Sequence, residues 1–232
     1  MKKHIPNAIT CLNLFSGCIG VTFAFSNDLT LAAYFIVIAA LFDFVDGLIA
    51  RALHVYSPMG KELDSLADMI SFGLLPAAIV YQLFLQAPQV GEMSEYLKFS
   101  AFFIAMFSAL RLAKFNIDPR QGDHFIGLPT PANALLVGSL PMIIAAGSGA
   151  LDAYILNPFF LFVFSIGTGF LLVMEVPLIS LKFKNFGLEE NLFRYILLGS
   201  SVLLILLLQF VAIPIIIFIY IVLSIIQFTR LR

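Results

Sequence analysis

The composition of the chain excludes a soluble globular protein. The chain has 232 residues, of which 61% are hydrophobic and 12% are charged, and its mean hydropathy is +1.01. Soluble domains carry about 25% charged residues, whereas long apolar stretches are typical of membrane-spanning helices. The net charge of −1 says little about partners, and we expect no nucleic acid among them. We therefore predict an all-α integral membrane protein.

Eight apolar stretches of membrane-crossing length follow one another along the chain. A helix needs about 20 apolar residues to cross the hydrocarbon core of a bilayer. The stretches cover residues 8–26, 29–50, 63–86, 96–115, 131–149, 153–175, 191–209 and 211–230. The first is expected to be retained, because no small-residue cleavage pattern of a signal peptide follows it. The weakest junction lies at residues 209–214, where a single long re-entrant segment is the alternative.

The basic residues favour an orientation with both termini in the cytosol. Lys and Arg accumulate on the cytoplasmic side of membrane proteins. When the N-terminus is placed inside, only Lys98 of the 13 basic residues falls outside. The predicted outer loops, near residues 26–28, 86–95 and 147–152, hold acidic or neutral residues. We predict one domain over residues 1–232, a polytopic bundle of eight transmembrane helices in the cytoplasmic membrane.

Four aspartates interrupt the apolar pattern. Asp43 and Asp46 lie near the end of the second predicted helix, three residues apart. Asp64 and Asp68 lie near the start of the third, four residues apart. Both spacings place a pair on one face of a helix. Because an ionised Asp at mid-membrane costs about 2.5–3.5 kcal/mol on insertion scales, we expect a cationic partner among them.

Carboxylate oxygens are the ligands that Mg²⁺ and Mn²⁺ prefer. If the second and third helices pack side by side, as their short connection predicts, the four carboxylates converge just below the cytoplasmic surface. Such a group can hold two divalent cations about 4 Å apart, the arrangement that stabilises the attacking and leaving oxygens in phosphoryl chemistry. The predicted ligands are Asp43, Asp46, Asp64 and Asp68.

Small and basic residues around the aspartates fit the binding of a phosphate-containing ligand. Gly47 and Gly60 allow close approach to the backbone, and Ala50 keeps that face small. Arg51 offers a planar cation suited to phosphate oxygens, and Lys61 is a further candidate. Taken alone, the two basic residues are more often topology determinants, and a lone membrane glycine usually serves helix packing.

These residues together form a pattern that resembles the complete signature of the CDP-alcohol phosphatidyltransferase family. The pattern is Asp43-x2-Asp46-Gly47-x2-Ala50-Arg51-x8-Gly60-x3-Asp64-x3-Asp68. The resemblance implies transfer of a phosphatidyl group from a CDP-linked lipid to an alcohol, with release of CMP. It implies two divalent cations on the four aspartates, with Asp68 as the general base. It also implies a nucleotide and diphosphate site that includes Asp46, Gly47, Ala50, Arg51, Gly60 and, as a candidate, Lys61.

Further stretches are similar to the phosphatidylserine synthase branch of this family. They are residues 5–10, 12–17, 60–68, 111–116 and 125–131. The resemblance implies CDP-diacylglycerol and L-serine as substrates, a homodimer, and a six-helix core within about 1–175 with extra helices at 191–230. It places Asn7 and Thr10 near the nucleotide, although Asn7 is alternatively a helix cap.

The serine carboxylate needs a cation, because the site is already crowded with aspartates. Arg111, at the inner end of the fourth predicted helix, can hold a carboxylate with two hydrogen bonds. Asn116 on the same helix is the candidate for the serine ammonium group. Arg120 is a competing partner for the carboxylate. The alternative for Arg111 is that it only fixes topology.

Two kinds of alternative function remain open. The same chemistry is compatible with glycerol 3-phosphate or inositol phosphate as acceptor, or with an archaeal-type lipid donor. A divalent-cation transporter would belong to a different class, and transporters often have matched repeated halves, which this chain does not show. The sequence does not decide between Mg²⁺ and Mn²⁺.

Overall fold

The computed structural model describes residues 4–55, 57–88, 92–118, 125–147, 149–180 and 187–230. The helices in chain order are α1 (His4–Phe25), α2 (Leu29–Ala52), α3 (Pro58–Asp68), α4 (Leu75–Gln86), α5 (Glu92–Leu97), α6 (Phe102–Ile117), α7 (Thr130–Ala145), α8 (Ala150–Ile155), α9 (Pro158–Val173), α10 (Leu188–Leu208) and α11 (Ala212–Arg230). The predicted all-α class is confirmed.

Short irregular elements connect the helices. A π-helical turn, Met69–Leu74, joins α3 to α4. Two 3-10 turns, Lys98–Ala101 and Gln209–Val211, precede α6 and separate α10 from α11. Strands β1 (Phe125–Ile126) and β2 (Pro177–Leu178) form one short antiparallel ladder.

The third predicted helix begins earlier than the hydrophobic pattern indicates. It starts at Pro58, because the Ser57 side chain caps it by accepting a hydrogen bond from the Gly60 backbone N–H at 3.0 Å, and proline is favoured at a first helical position. Because the first turn is polar, a search for apolar runs does not detect this start. As a result Asp64 and Asp68 lie farther from the N-terminus of the helix than predicted.

Within the described ranges, five helical stretches are long and apolar enough to cross a membrane: His4–Phe25, Leu29–Ala52, Pro58–Gln86, Glu95–Ile117 and Asn191–Thr229. Helices α7 and α9 have 16 residues each, which corresponds to about 24 Å. They are shorter than the predicted runs at 131–149 and 153–175, because a glycine turn ends α7 and Asn157 caps the start of α9. The chain is an integral membrane protein, while the count of eight spans stays a prediction.

The junction near residue 209 is a turn between two antiparallel helices. Gln209 has a φ of 49°, which ends α10. Arg194, near the start of α10, donates to the Ser180 carbonyl at 2.8 Å. Ser224, near the end of α11, accepts from the Ile179 backbone N–H at 3.1 Å. The start of α10 and the end of α11 thus contact the adjacent residues Ser180 and Ile179. The two helices therefore form an antiparallel hairpin.

Small residues bring α1 very close to its neighbours. A Cβ atom added to Gly17 would lie 2.9 Å from the Cα atom of Ser71 in the π-helical turn. One added to Gly20 would lie 3.0 Å from the Cβ atom of Phe35 on α2. Close packing of this kind is how helices associate inside membranes. It places the polar face of α1 directly against α2 and α3, where the aspartates lie.

A small apolar cluster, separate from the main apolar core of the helical bundle, lies at the start of α7. It contains Leu128, Leu136, Leu178 and Ile217. The preceding Gly127 has a φ of 75° and its backbone N–H donates to the Val176 carbonyl at 3.1 Å. The Leu128 backbone N–H donates to the Leu171 carbonyl at 2.8 Å. The turn before α7 is therefore held on the end of α9 and on the segment that leads into β2.

We predict that Gly127→Ala destabilises the fold. A Cβ atom there would collide with the Leu172 carbonyl, and a positive φ costs a non-glycine residue about 1–3 kcal/mol. Thermal unfolding in detergent is the measurement. The matched control is Gly167→Ala within α9, where an added Cβ meets nothing within 4 Å and the midpoint should not fall. Equal midpoints for the two variants would contradict the prediction.

Candidate active site

Three of the four aspartates converge between α2 and α3, although these helices do not pack side by side as predicted, because each packs mainly against α1. Carboxylate oxygens of Asp43, Asp64 and Asp68 all lie within 4.8 Å of one another. Like charges at this separation repel, and burial strengthens the repulsion. Oxygens that share one divalent cation lie at most about 5 Å apart, because each is about 2.0–2.6 Å from the ion. The group therefore has the donor chemistry and the spacing for a hard cation.

Asp46 lies beside this group but is engaged elsewhere. Its Oδ2 atom accepts a hydrogen bond from the Thr10 hydroxyl at 2.6 Å, and the Thr10 hydroxyl is also 3.1 Å from the Pro6 carbonyl. Asp46 remains within electrostatic range of Asp64. Within the described ranges, the close group thus contains three of the four predicted ligands, with the fourth at its edge.

A further polar contact comes from α1 and was missed by the sequence analysis. The Asn13 Nδ2 atom donates to Asp68 Oδ1 at 3.2 Å, and the Asn13 side chain is fully buried. Asn7, Thr10 and Asn13 are spaced three residues apart, so they follow one face of α1. That row of polar side chains in an apolar helix is the signal that would have identified Asn13.

A cavity of about 480 Å³ opens between α1, α2 and α3. Ligand pockets for small molecules are typically about 300–1,000 Å³. The predicted nucleotide residues that line it are Asn7, Thr10, Asp46, Gly47, Ala50, Gly60 and Lys61. Asp64 lines the cavity and is also one of the three clustered aspartates. A ligand in the cavity would therefore lie directly beside the candidate metal centre.

The glycines of the signature leave room in this cavity. A Cβ atom on Gly60 would lie 3.0 Å from the Ser57 hydroxyl and 3.1 Å from Asn7 Oδ1. Arg51 is exposed and folds back along α2, so that its Nη1 atom would be 3.5 Å from a Cβ on Gly47. Arg51 does not line the cavity itself, and its guanidinium group lies beside the Gly47 wall.

Two of the predicted polar residues link α3 to α6. The Lys61 Nζ atom donates to the Asn116 carbonyl at 2.7 Å. The Asn116 Nδ2 atom donates to the Ser65 hydroxyl at 2.8 Å. These contacts hold the end of α6 against the helix that carries Asp64 and Asp68. The predicted roles of Lys61 toward phosphate and of Asn116 toward ammonium stay predictions.

Arg111 lies on α6 and does not line the cavity. It is only 7% exposed, and its guanidinium carbon is 5.1 Å from the centre of the Phe115 ring. Its Nη1 atom donates to the Thr130 hydroxyl at 3.4 Å, and its buried Nε atom has no hydrogen-bond partner among the described residues. Arg111 is within electrostatic range of Asp43 and Asp68. Arg120 lies outside the described residues.

The comparisons with known proteins agree with this geometry. Residues 3–181 match the family model described as CDP-alcohol phosphatidyltransferase. The chain belongs to the CDP-alcohol phosphatidyltransferase family, which confirms the resemblance seen in the signature.

Three similar proteins carry the same enzyme name. The chain is 32% identical over 182 residues to a CDP-diacylglycerol–serine O-phosphatidyltransferase of Mycobacterium leprae, covering 75% of this chain and 57% of that protein. Its identity to the Helicobacter pylori (strain ATCC 700392 / 26695) protein of the same name is 38% over 134 residues, covering 57% of this chain and 54% of the relative. For the Bacillus subtilis protein of that name the identity is 30% over 185 residues, and the coverage is 79% and 92%. The chain therefore spans little more than half the length of the first two relatives and most of the third.

We predict that Asp64→Asn weakens the binding of Mn²⁺, because the variant removes one charged ligand from the group of three. An amide oxygen is a weaker, neutral donor. Calorimetric titration of the metal-free protein with MnCl₂ is the measurement. The control is Glu62→Gln, which neutralises an exposed carboxylate on the same helix. If both variants bind Mn²⁺ like the unmodified protein, Asp64 is not a ligand.

Proposed function

We propose that the chain transfers a phosphatidyl group from CDP-diacylglycerol to L-serine, giving phosphatidylserine and CMP. The observation that carries the proposal is the cluster of three aspartates beside a nucleotide-sized cavity. Residues of the family signature form the cluster and much of the cavity wall. Family membership supports the transfer chemistry. The names of the relatives support serine as the acceptor.

In the proposed reaction the serine hydroxyl oxygen attacks the lipid-side phosphorus of CDP-diacylglycerol. A bond forms between that oxygen and phosphorus, and the bond between phosphorus and the CMP oxygen breaks. Two divalent cations, Mg²⁺ or Mn²⁺, held by Asp43, Asp46, Asp64 and Asp68, would neutralise the diphosphate and the charge that develops on CMP. The cavity walls around Gly47 and Gly60 would hold the nucleotide.

Asp68 is the proposed general base. A serine hydroxyl is a weak nucleophile at neutral pH, so a carboxylate must accept its proton as the new bond forms. Asp68 is buried and its Oδ1 atom is occupied by Asn13, which leaves the second oxygen for the proton. The proton leaves the serine hydroxyl and ends on Asp68, from which it passes to solvent or to the product.

The proposed placement in the membrane follows from the substrates. The active site would open to the cytosolic face of the cytoplasmic membrane, where the CDP group and serine arrive, while the acyl chains stay between helices. Eight spans with cytosolic termini, a six-helix core within residues 1–175 and an extension at 191–230 complete the proposed topology. A homodimer is the proposed assembly.

An acceptor panel tests the proposal. Purified protein in detergent–lipid micelles would be given CDP-diacylglycerol with serine, glycerol 3-phosphate, inositol phosphate or ethanolamine, and the lipid product identified by mass spectrometry. We expect phosphatidylserine and CMP in the serine reaction alone. A product with another acceptor would move the chain to another branch of the family. Metal uptake into vesicles without nucleotide binding would instead support a transporter.

We further predict that Arg111→Lys raises the KM for serine at least tenfold, a loss of about 1.4 kcal/mol of binding. Lysine keeps the charge but cannot hold a carboxylate with two parallel hydrogen bonds. The KM for CDP-diacylglycerol should change little, because Arg111 does not line the cavity. Initial rates at varied concentrations of each substrate are the measurement.

The control for Arg111→Lys is Arg120→Lys, which tests the competing carboxylate partner. An effect on the serine KM in Arg120→Lys alone would transfer the role to Arg120. No effect in either variant would show that other residues recognise serine.

A further inference from the structure

Asn13 lies outside the family signature, yet its side chain touches the site. It is fully buried on α1, and its Nδ2 atom donates to Asp68 Oδ1 at 3.2 Å. We propose that Asn13 is a positioning residue of the transfer reaction, which orients the Asp68 carboxylate for proton transfer. This inference rests on the proposed function, because Asp68 is the general base there.

Asn13 is itself held firmly in place. The Ser71 hydroxyl donates to the Asn13 backbone carbonyl at 3.0 Å. One turn farther along α1, Gly17 brings the helix backbone against Ser71, with no space for a side chain. The π-helical turn that contains Ser71 starts at Met69, directly after Asp68. The turn therefore connects Asp68 to the residue that binds the Asn13 backbone, and this helps to hold the Asn13 amide beside the Asp68 carboxylate. Turns of this kind occur frequently at functional sites.

The hydrogen bond distinguishes the two oxygens of Asp68. A carboxylate can rotate about its terminal torsion and present either oxygen to a neighbour. With Oδ1 held by the amide, the other oxygen is left to face the remaining aspartates and the acceptor. A neutral amide is suited to this task, because a carboxylate at position 13 would repel Asp68 and a basic side chain would compete with the divalent cations.

The other side of the Asn13 amide shows that this residue is not optimised for stability. Its Oδ1 atom is buried and has no hydrogen-bond partner in the part of the chain that the structure describes, which is a net cost for a folded protein. A leucine of similar size would remove that unsatisfied atom. A residue that served only to hold α1 in place would gain nothing from the amide, whereas a residue that orients Asp68 requires the donor.

The test compares Asn13→Leu and Asn13→Asp with the unmodified protein in detergent–lipid micelles. Both replacements are close in size to asparagine; leucine has no hydrogen-bond donor, and an aspartate at this position would repel Asp68 or share a proton with it. We expect kcat to fall at least tenfold, which equals about 1.4 kcal/mol. The KM values, the calorimetric CMP and Mn²⁺ affinities and the unfolding midpoint of Asn13→Leu should stay close to those of the unmodified protein.

The matched control is Ser16→Ala, one turn away on α1. Ser16 is also buried, but its hydroxyl donates only within the helix, to the Leu12 carbonyl at 2.8 Å. Its kcat should be unchanged. If Asn13→Leu does not fold, Asn13→Asp and a third variant, Asn13→Ser, which keeps a donor, supply the comparison. We expect Asn13→Ser to retain more activity than Asn13→Asp.

Two results would overturn the inference. One is an unchanged kcat in folded Asn13→Leu and Asn13→Asp. The other is a parallel loss of CMP binding, Mn²⁺ binding and thermal stability, because Asn13 would then hold the site together rather than orient Asp68. Failure of the proposed function is recognised separately, because the unmodified protein would then form no phosphatidylserine. If the unmodified protein transfers the phosphatidyl group to none of the acceptors, both proposals are wrong.

Discussion

The repulsion among carboxylates within the helical bundle is the constraint on which the rest of the structure depends. Asp43, Asp64 and Asp68 bring oxygens within 4.8 Å of one another in an otherwise apolar chain. Such an arrangement is stable only when cations and hydrogen-bond donors surround it. The fold supplies donors from α1 and a buried guanidinium from α6. The remaining attraction is of the kind that divalent cations provide.

The packing of α1 makes these contacts possible. Its glycines let it approach α2 and the π-helical turn closely, so that Thr10 reaches Asp46 and Asn13 reaches Asp68. Longer side chains at positions 17 and 20 would separate the helices and withdraw both donors. The small residues of α1 thus contribute to the site as directly as the polar ones, although none of them touches an aspartate.

Different parts of the chain build the cavity and the surroundings of Arg111. The cavity lies between α1, α2 and α3, and the family signature accounts for much of its wall. Arg111 does not line the cavity and lies where α6 meets Thr130 at the start of α7. Gly127 precedes that start, and the small apolar cluster there includes Ile217 of α11. In the proposed reaction the nucleotide and the acceptor would therefore contact different parts of the chain around the aspartates.

The sequence by itself determined the membrane class, the aspartate site and most of the cavity wall. Composition fixes the first, the spacings within two helices indicate the aspartates, and the residues of the cavity wall follow from the resemblance to the family signature and its serine branch. Only the tertiary structure decided the partners of those residues. Asn13 and Asp68 are 55 residues apart, Thr10 and Asp46 are 36 apart, and Arg111 meets Thr130 from another helix. It also moved the start of the third helix to Pro58, since a cap and a polar first turn leave no apolar signal. Contacts of this kind depend on how helices pack against each other, and the spacing of residues within a single helix does not determine that packing.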